Sequence, residues 1–211
     1  AGTLTAGAGA SIDSILRRIV PAGFFVPVTP GTRMVTVGGA IAADVHGKNH
    51  HVDGTFGSHV LRLGLVGSTG ERHELSPTGS KREQEDFWAT VGGMGLTGVI
   101  TDATVDLIPI TSSLISVDTE RVPDLDSVMA SMIEGDDRYR YSVAWIDSVH
   151  PSGRGVITRG DHADLSQLPP EQRSSALTYR AKVVGTAPPF IPGRLLNKLT
   201  VRAFNEAWYR K

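Results

Sequence analysis

The 211-residue chain is expected to adopt an α+β fold in two parts, on three observations. Up to Ile110 glycine falls in two dense clusters among short strands and helices. The first holds Gly31, Gly38, Gly39, Gly47, Gly54 and Gly57, the second Gly92, Gly93, Gly95 and Gly98. Beyond Ile110 the clusters end and the pattern becomes strand, helix, strand, strand, which suits an antiparallel sheet with a helix on one face. The change is abrupt, so a domain boundary is placed at 110–112, dividing the chain into 1–110 and 111–211.

The elements follow in order. Leu4 to Gly9 reads as a short strand and turn. Ser11 is placed to cap a helix whose apolar positions Ile12, Ile15, Leu16, Ile19 and Val20 form one buried face, with Gly23 suited to C′. Phe24 to Val28 reads as a strand ended by Thr29-Pro30-Gly31. Val35 to Val37 leads into Gly38-Gly39-Ala40-Ile41-Ala42-Ala43, a short helix of small residues. His59–Val66 and Glu71–Leu75 flank a hairpin turn, residues 80–89 form a polar-faced helix around Phe87 and Trp88, and Val99 to Ile110 is a long strand.

In the second part Leu114–Thr119 is a strand. A helix begins near Pro123, followed by the apolar positions Leu125, Val128, Met129, Met132 and Ile133. Tyr139–Ile146 and Gly155–Arg159 are strands. The stretch 161–194, rich in Pro, Ser, Gln and Ala, reads as a long, mobile loop, and loops of that length are usually functional or disordered.

Composition excludes several classes. A formal net charge of −1 argues against charge-driven nucleic-acid binding. Without cysteine there is neither a disulfide framework nor a thiolate metal site. No apolar run reaches the roughly 18 residues of a membrane span. Ala1–Ala10 lacks the basic start of a signal peptide, and the Trp208-Tyr209 pair stands where later chain would pack on it. Both ends are therefore expected to be cuts through a longer protein.

The chemistry concentrates between Pro30 and Gly57. A double glycine opening a helix offers unpaired backbone N–H groups and a positive dipole end, suited to a pyrophosphate or other anion. Ala40, Ala42 and Ala43 let a flat ring lie close to the backbone, and His46-Gly47 puts an imidazole at the far end. The same residues also suit a ligand-free strand–turn–helix crossing. The dinucleotide fingerprint G-x-G-x-x-G is absent, and Gly92-Gly93-Met94-Gly95-Leu96-Thr97-Gly98 does not supply it. A metal set of His46, His50, His51 and Asp53 is disfavoured, because Gly47 interrupts the helix that i, i+4 histidines would need.

The segment "PGTRMVTVGGAIAADVHGKNHHVDGTFGSHV" resembles the FAD-linked oxidases of the vanillyl-alcohol-oxidase type, and within them those acting on polyprenyl-phosphate ribose. "DFWATVGGMGLTGVI" from Asp86, "YSVAWID" from Tyr141 and the terminal "WYRK" from Trp208 match in the same order. The resemblance implies a partial FAD-binding domain over 1–110, its C-terminal portion, and part of an antiparallel-sheet substrate (cap) domain over 111–211. It implies FAD lined by Gly31, Thr36, Val37, Gly38, Gly39, Ala43, Asp44, Val45, His46 and Ile100. His46 and Lys48 would be the catalytic pair facing flavin and substrate. Lys48, Trp145 and Tyr209 would be substrate-binding, and no metal is implied.

The implied reaction oxidises the ribose 2′-hydroxyl to a ketone, in an epimerisation that makes the arabinose donor of cell-wall arabinan. A separate NADH-dependent reductase would be the partner, at the cell envelope, with peripheral membrane contact and no span. An upstream glycine-rich pyrophosphate loop and a downstream lysine of that family are not found here. The chain alone is thus expected neither to hold FAD tightly nor to turn over. The alternatives are an alditol or aldonolactone oxidase, releasing H₂O₂ from small free sugars, and a cofactor-free binding module.

Overall fold

A computed structural model describes residues 2–181, 193 and 197–210. It divides into two compact units, Ala1–Ile115 with His162–Tyr179, and Ser116–Asp161 with Arg180–Lys211.

The first unit is built on a five-stranded sheet of order β1-β5-β3-β4, with β2 also pairing β5. The strands are β1 (Gly2–Gly7), β2 (Phe24–Phe25), β3 (Val60–Val66), β4 (Arg72–Leu75) and β5 (Val99–Pro109). β5 is central because it is long enough to pair β1 from Leu107 to Asp102 on one side and β3 on the other. Helix α1 (Ile12–Ile19) forms as its sequence dictates. The Ser11 hydroxyl accepts the Ser14 N–H at 3.1 Å, and Ile12, Ile15, Leu16 and Ile19 are buried. Gly23 takes φ 82°, the left-handed turn that ends the helical stretch. Helices α2 (Val37–Ala42), α3 (His50–Asp53) and α4 (Lys81–Thr90) complete this part. Ser80 and Glu83 form a capping box on α4. One core joins α1, α2, β3 and β5 through Ile12, Ile41, Phe56, Leu63, Phe87 and Val105.

The second unit carries β6 (Ile115–Val122), α5 (Leu125–Gly135), β7 (Tyr141–Ile146), β8 (Gly155–His162) and α7 (Lys198–Arg210), with strand order β6-β8-β7. This is the strand, helix, strand, strand pattern of the sequence. Its small core is Val122, Val128 and Ile157. Arg159 is buried beside it, ion-paired to Asp136 at 2.9 Å and Glu120 at 3.1 Å.

Two expectations change. The strand at Phe24–Val28 shortens to Phe24–Phe25, because only these residues meet Pro109 and Ile108 in register. The loop over 161–194 is in part ordered structure. β8 runs to His162, a helical turn spans Leu165–Gln167, and α6 spans Pro170–Arg173. Ala163, Leu168 and Ala176 bury together, and the Ser113 N–H donates to the Ala176 carbonyl at 2.7 Å. Three small or aliphatic side chains spaced through a polar stretch suffice to fold it back on the first unit. Residues 182–192 and 194 of that stretch lie outside the described residues.

Candidate flavin site

The motif begins on α2. Thr36 caps it, its hydroxyl accepting the Gly39 N–H at 3.1 Å. The other first-turn amides are also occupied. Val37 donates to the Ala10 carbonyl at 2.9 Å, Gly38 to Ala8 at 2.9 Å, and Ala40 to Thr36 at 2.8 Å. The expectation of unpaired N–H groups awaiting a pyrophosphate is therefore corrected. Gly38 serves close packing instead, since a Cβ there would lie 2.9 Å from the Ala8 Cβ. The missing side chain lets the turn after β1 approach and take the amides.

The C-terminal end of α2 is where the two glycine clusters meet. Gly92 donates its N–H to the Ile41 carbonyl at 3.0 Å, and Met94 to Ala42 at 2.8 Å. Asp44 takes φ 42° and its Oδ1 accepts the Gly57 N–H at 2.9 Å. A Cβ on Gly57 would stand 2.3 Å from Val91 Cγ1. Among the described residues Asp44 and Met94 (φ 52°) are the non-glycine positions in the left-handed region, and both lie on this seam. Aspartate tolerates that region, whereas for methionine it costs about 1 kcal/mol.

Around the seam Gly39, Ala43, His46 and Lys48 are exposed, while Val37 is buried and Val45 packs partly on the core. A Cβ on Gly31 or Gly95 would meet nothing within 4 Å among the described residues. Met94 and Leu96 are 72% and 92% exposed. Small residues, open space and bare apolar side chains fit a flat aromatic ring better than they fit a phosphate. Ile100 sits in β5 opposite Leu65 and leans partly on the core.

His46 and Lys48 ride on one short loop. His46 bridges to Thr55, and Phe56 donates its N–H to the Val45 carbonyl at 2.9 Å. The His46 and His50 rings meet edge to face at 5.4 Å. Lys48 points to solvent, whereas its neighbour Asn49 is wholly buried. Among the described residues no group of three or more side chains is arranged to hold a metal ion.

Trp145 and Tyr209 belong to the second unit. Trp145 is half-buried on β7, opposite Val156. The Tyr209 ring lies under the Arg154 guanidinium, 4.3 Å away, and its hydroxyl is 3.4 Å from the Val122 carbonyl. That cation–π contact gives Tyr209 a structural use in holding α7. Nearby Asp147 is 2% exposed. Burial works to raise its carboxyl, but hydrogen bonds from Asn205 and Arg154 outweigh it and hold the group below the usual carboxylate range. A cavity of about 490 Å³ on the first unit, at Arg17, Pro21, Ser174 and Tyr179, includes none of the motif residues.

Residues 1–76 match the FAD binding domain family. Over this segment the chain is similar to FAD-binding domains. The chain is 42% identical over 208 residues to decaprenylphosphoryl-β-D-ribose oxidase of Mycolicibacterium smegmatis, covering 97% of this chain and 45% of that one. It is 40% identical over 193 residues to an uncharacterised protein in the mprA 5′ region of Streptomyces coelicolor, covering 90% and 51%. A D-lactate dehydrogenase of Anaerostipes hadrus is 29% identical over 111 residues, covering 52% and 23%. The chain thus spans about half the length of the first two of these relatives.

The FAD-binding segment carries Gly31 through His46, and the second glycine cluster that docks on α2 lies beyond it. Sequence reasoning missed the acceptor role of Ala8 and Ala10, the Asp44–Gly57 bond and the burial of Asn49. The run Ala6-Gly7-Ala8-Gly9-Ala10, small enough for close approach, was the available signal for the first. Nothing local announces the other two.

Proposed function

We propose that this chain is part of an FAD-dependent oxidoreductase that oxidises the 2′-hydroxyl of a polyprenyl-phosphate ribose to a ketone. The observation that carries the reading is 42% identity to the mycobacterial oxidase along nearly the whole chain, with the Gly38–His46 motif intact. Residues 1–110 would serve the flavin, and Trp145 and Tyr209 in 111–211 the substrate. Bound FAD would accept the hydride leaving the ribose 2′-carbon, and chemistry of that kind resides in the cofactor while the protein binds and orients.

The chain's own residues would do the rest. Gly31, Thr36, Val37, Gly38, Gly39, Ala43, Asp44, Val45 and Ile100 would form or back the surface that holds FAD. The His46 imidazole is exposed, and a ring nitrogen would take the hydroxyl proton as the carbonyl forms. Lys48, exposed on the same loop, would hold the substrate's phosphodiester as a point charge. An NADH-dependent reductase would complete the epimerisation, with both proteins at the cell envelope and in peripheral contact with the membrane. No described helix is long and apolar enough to cross it.

Titration of the purified chain with FAD tests the cofactor step, and weak but saturable quenching of flavin fluorescence is expected, because the chain supplies only part of the site. Absence of quenching would refute it. Dye reduction by a flavin-loaded, full-length homologue that carries the same motif tests the substrate step. Polyprenylphosphoryl ribose should drive it and free alditols should not, and the reverse order with H₂O₂ release would favour an alditol oxidase. Lys48→Ala should raise KM for the lipid phosphate with little change in kcat.

A further inference from the structure

Asn49 stands between the exposed His46–Lys48 loop and the core, and it has 0% exposure. Its Nδ2 donates two short hydrogen bonds, to the Pro27 carbonyl at 2.6 Å and to Asp53 Oδ2 at 2.6 Å. Its own carbonyl accepts the N–H groups of Val52 at 3.0 Å and Asp53 at 2.8 Å. One residue thus ties the loop backward to the segment after β2 and forward to the end of α3. The far side is braced separately by His59, whose Nε2 lies 2.8 Å from the Asp53 carbonyl and whose Nδ1 lies 3.1 Å from Asp106 on β5.

Two details set this apart from ordinary packing. Asn49 Oδ1 is buried with no hydrogen-bond partner among the described residues. A buried carboxamide with one end unsatisfied is destabilising, and such groups call for an explanation beyond stability. The position beside it is Gly47, where a Cβ would stand 2.7 Å from both Asn49 Oδ1 and the Thr29 carbonyl. The loop therefore lies so flat on Thr29 that only glycine fits, and the Asn49 carboxamide closes over it.

We propose that Asn49 is the positioning residue of the His46–Lys48 loop, its carboxamide fixing where those two side chains stand relative to the flavin surface. The consequence for flavin rests on the function proposed above, while the latch itself does not. A carboxylate at 49 could not donate and would face both the Asp53 carboxylate and the Pro27 carbonyl. An asparagine at 53 opposite it could donate back and restore one of the two bonds.

The test uses the 211-residue chain and three variants: Asn49→Ala, Asn49→Asp, and the reciprocal pair Asn49→Asp with Asp53→Asn. Hydrogen exchange is measured over residues 45–56, β3 and β5, and FAD affinity by flavin fluorescence. Loss of the latch should speed exchange of the Val52, Asp53 and Phe56 amides about ten-fold, equal to about 1.4 kcal/mol. β3 and β5 should not change, and FAD should bind several-fold more weakly. The reciprocal pair should recover a large part of both losses.

Exchange that rises equally across β3 and β5, or nowhere, would overturn the latch. Local loosening with unaltered FAD affinity would overturn the positioning role and leave Asn49 a purely structural residue. If the unsubstituted chain takes up no FAD, the flavin reading falls, and exchange in the variants still decides the latch.

Discussion

Gly57→Ala probes the seam between the two glycine clusters. The added Cβ would meet Val91 Cγ1 at 2.3 Å, Val91 Cγ2 at 3.3 Å and Asp44 Oδ1 at 2.9 Å. Carbon–carbon contact is comfortable at about 3.5–4.0 Å, so the valine must retreat by more than ~1 Å. Rotating Val91 relieves one methyl by bringing in the other, and a β-branched side chain is stiff at χ1. The cost should be about 2 kcal/mol, in the range for overpacking. Val91 is itself 9% exposed, and Val91→Ala should cost about 1.5 kcal/mol for two buried methyl groups.

The two changes together should cost no more than Val91→Ala alone, because the alanine Cβ fills the vacated space. Non-additivity of about 2 kcal/mol is therefore expected, against the ~0.5 kcal/mol scatter of independent sites. Urea unfolding measures it. With Trp145 and Trp208 replaced by Phe, Trp88 on α4 reports the first unit alone. A domain of this size should lose roughly 6 °C in Tm for Gly57→Ala. Additive costs would refute the steric argument and would mean that Val91 and Gly57 do not share the seam.

Three further outcomes are expected. Gly98→Ala should cost above ~3 kcal/mol, because its Cβ would stand 2.4 Å from the Val66 backbone carbonyl at φ 149°; soluble yield and circular dichroism check it. Arg159→Met should destabilise the second unit by about 3 kcal/mol in denaturant titrations, by leaving Asp136, 16% exposed, without its guanidinium. In acid, α7 should detach from the β7–β8 hairpin. Asp147 is depressed as described above, and Glu206 is held low by Arg154 and then Arg210. Depressed carboxylates contribute fully above their unfolded values near ~4, and the contribution is lost as pH falls through the lower folded values. Trp208 fluorescence should follow that loss, and a flat pH profile would refute it.

Much of the fold was legible because its signals are local. Ser11 caps its helix within three residues, the burial of α1 follows its 3.6-residue period, and Gly23 ends the helical stretch in the left-handed conformation only glycine takes easily. The folding back of 162–179 was not legible, since Ala163, Leu168 and Ala176 are too sparse to set a period. In the site, the motif string lies within the segment that matches the FAD binding domain family, but the reason for its double glycine was misread.

Sequence alone determined the α+β class, the two kinds of structure along the chain, and the likeness of its first part to FAD-binding domains. Tertiary structure decided what each motif residue is used for. The amides of α2 go to Ala8 and Ala10 about thirty residues earlier, the Gly92 and Met94 amides go to carbonyls about fifty residues earlier, and Asn49 reaches back to Pro27. Each group could equally have bonded to water or a ligand. The choice is set by which backbone lies alongside, and that depends on how β1, β3 and β5 assemble rather than on any neighbour in the chain.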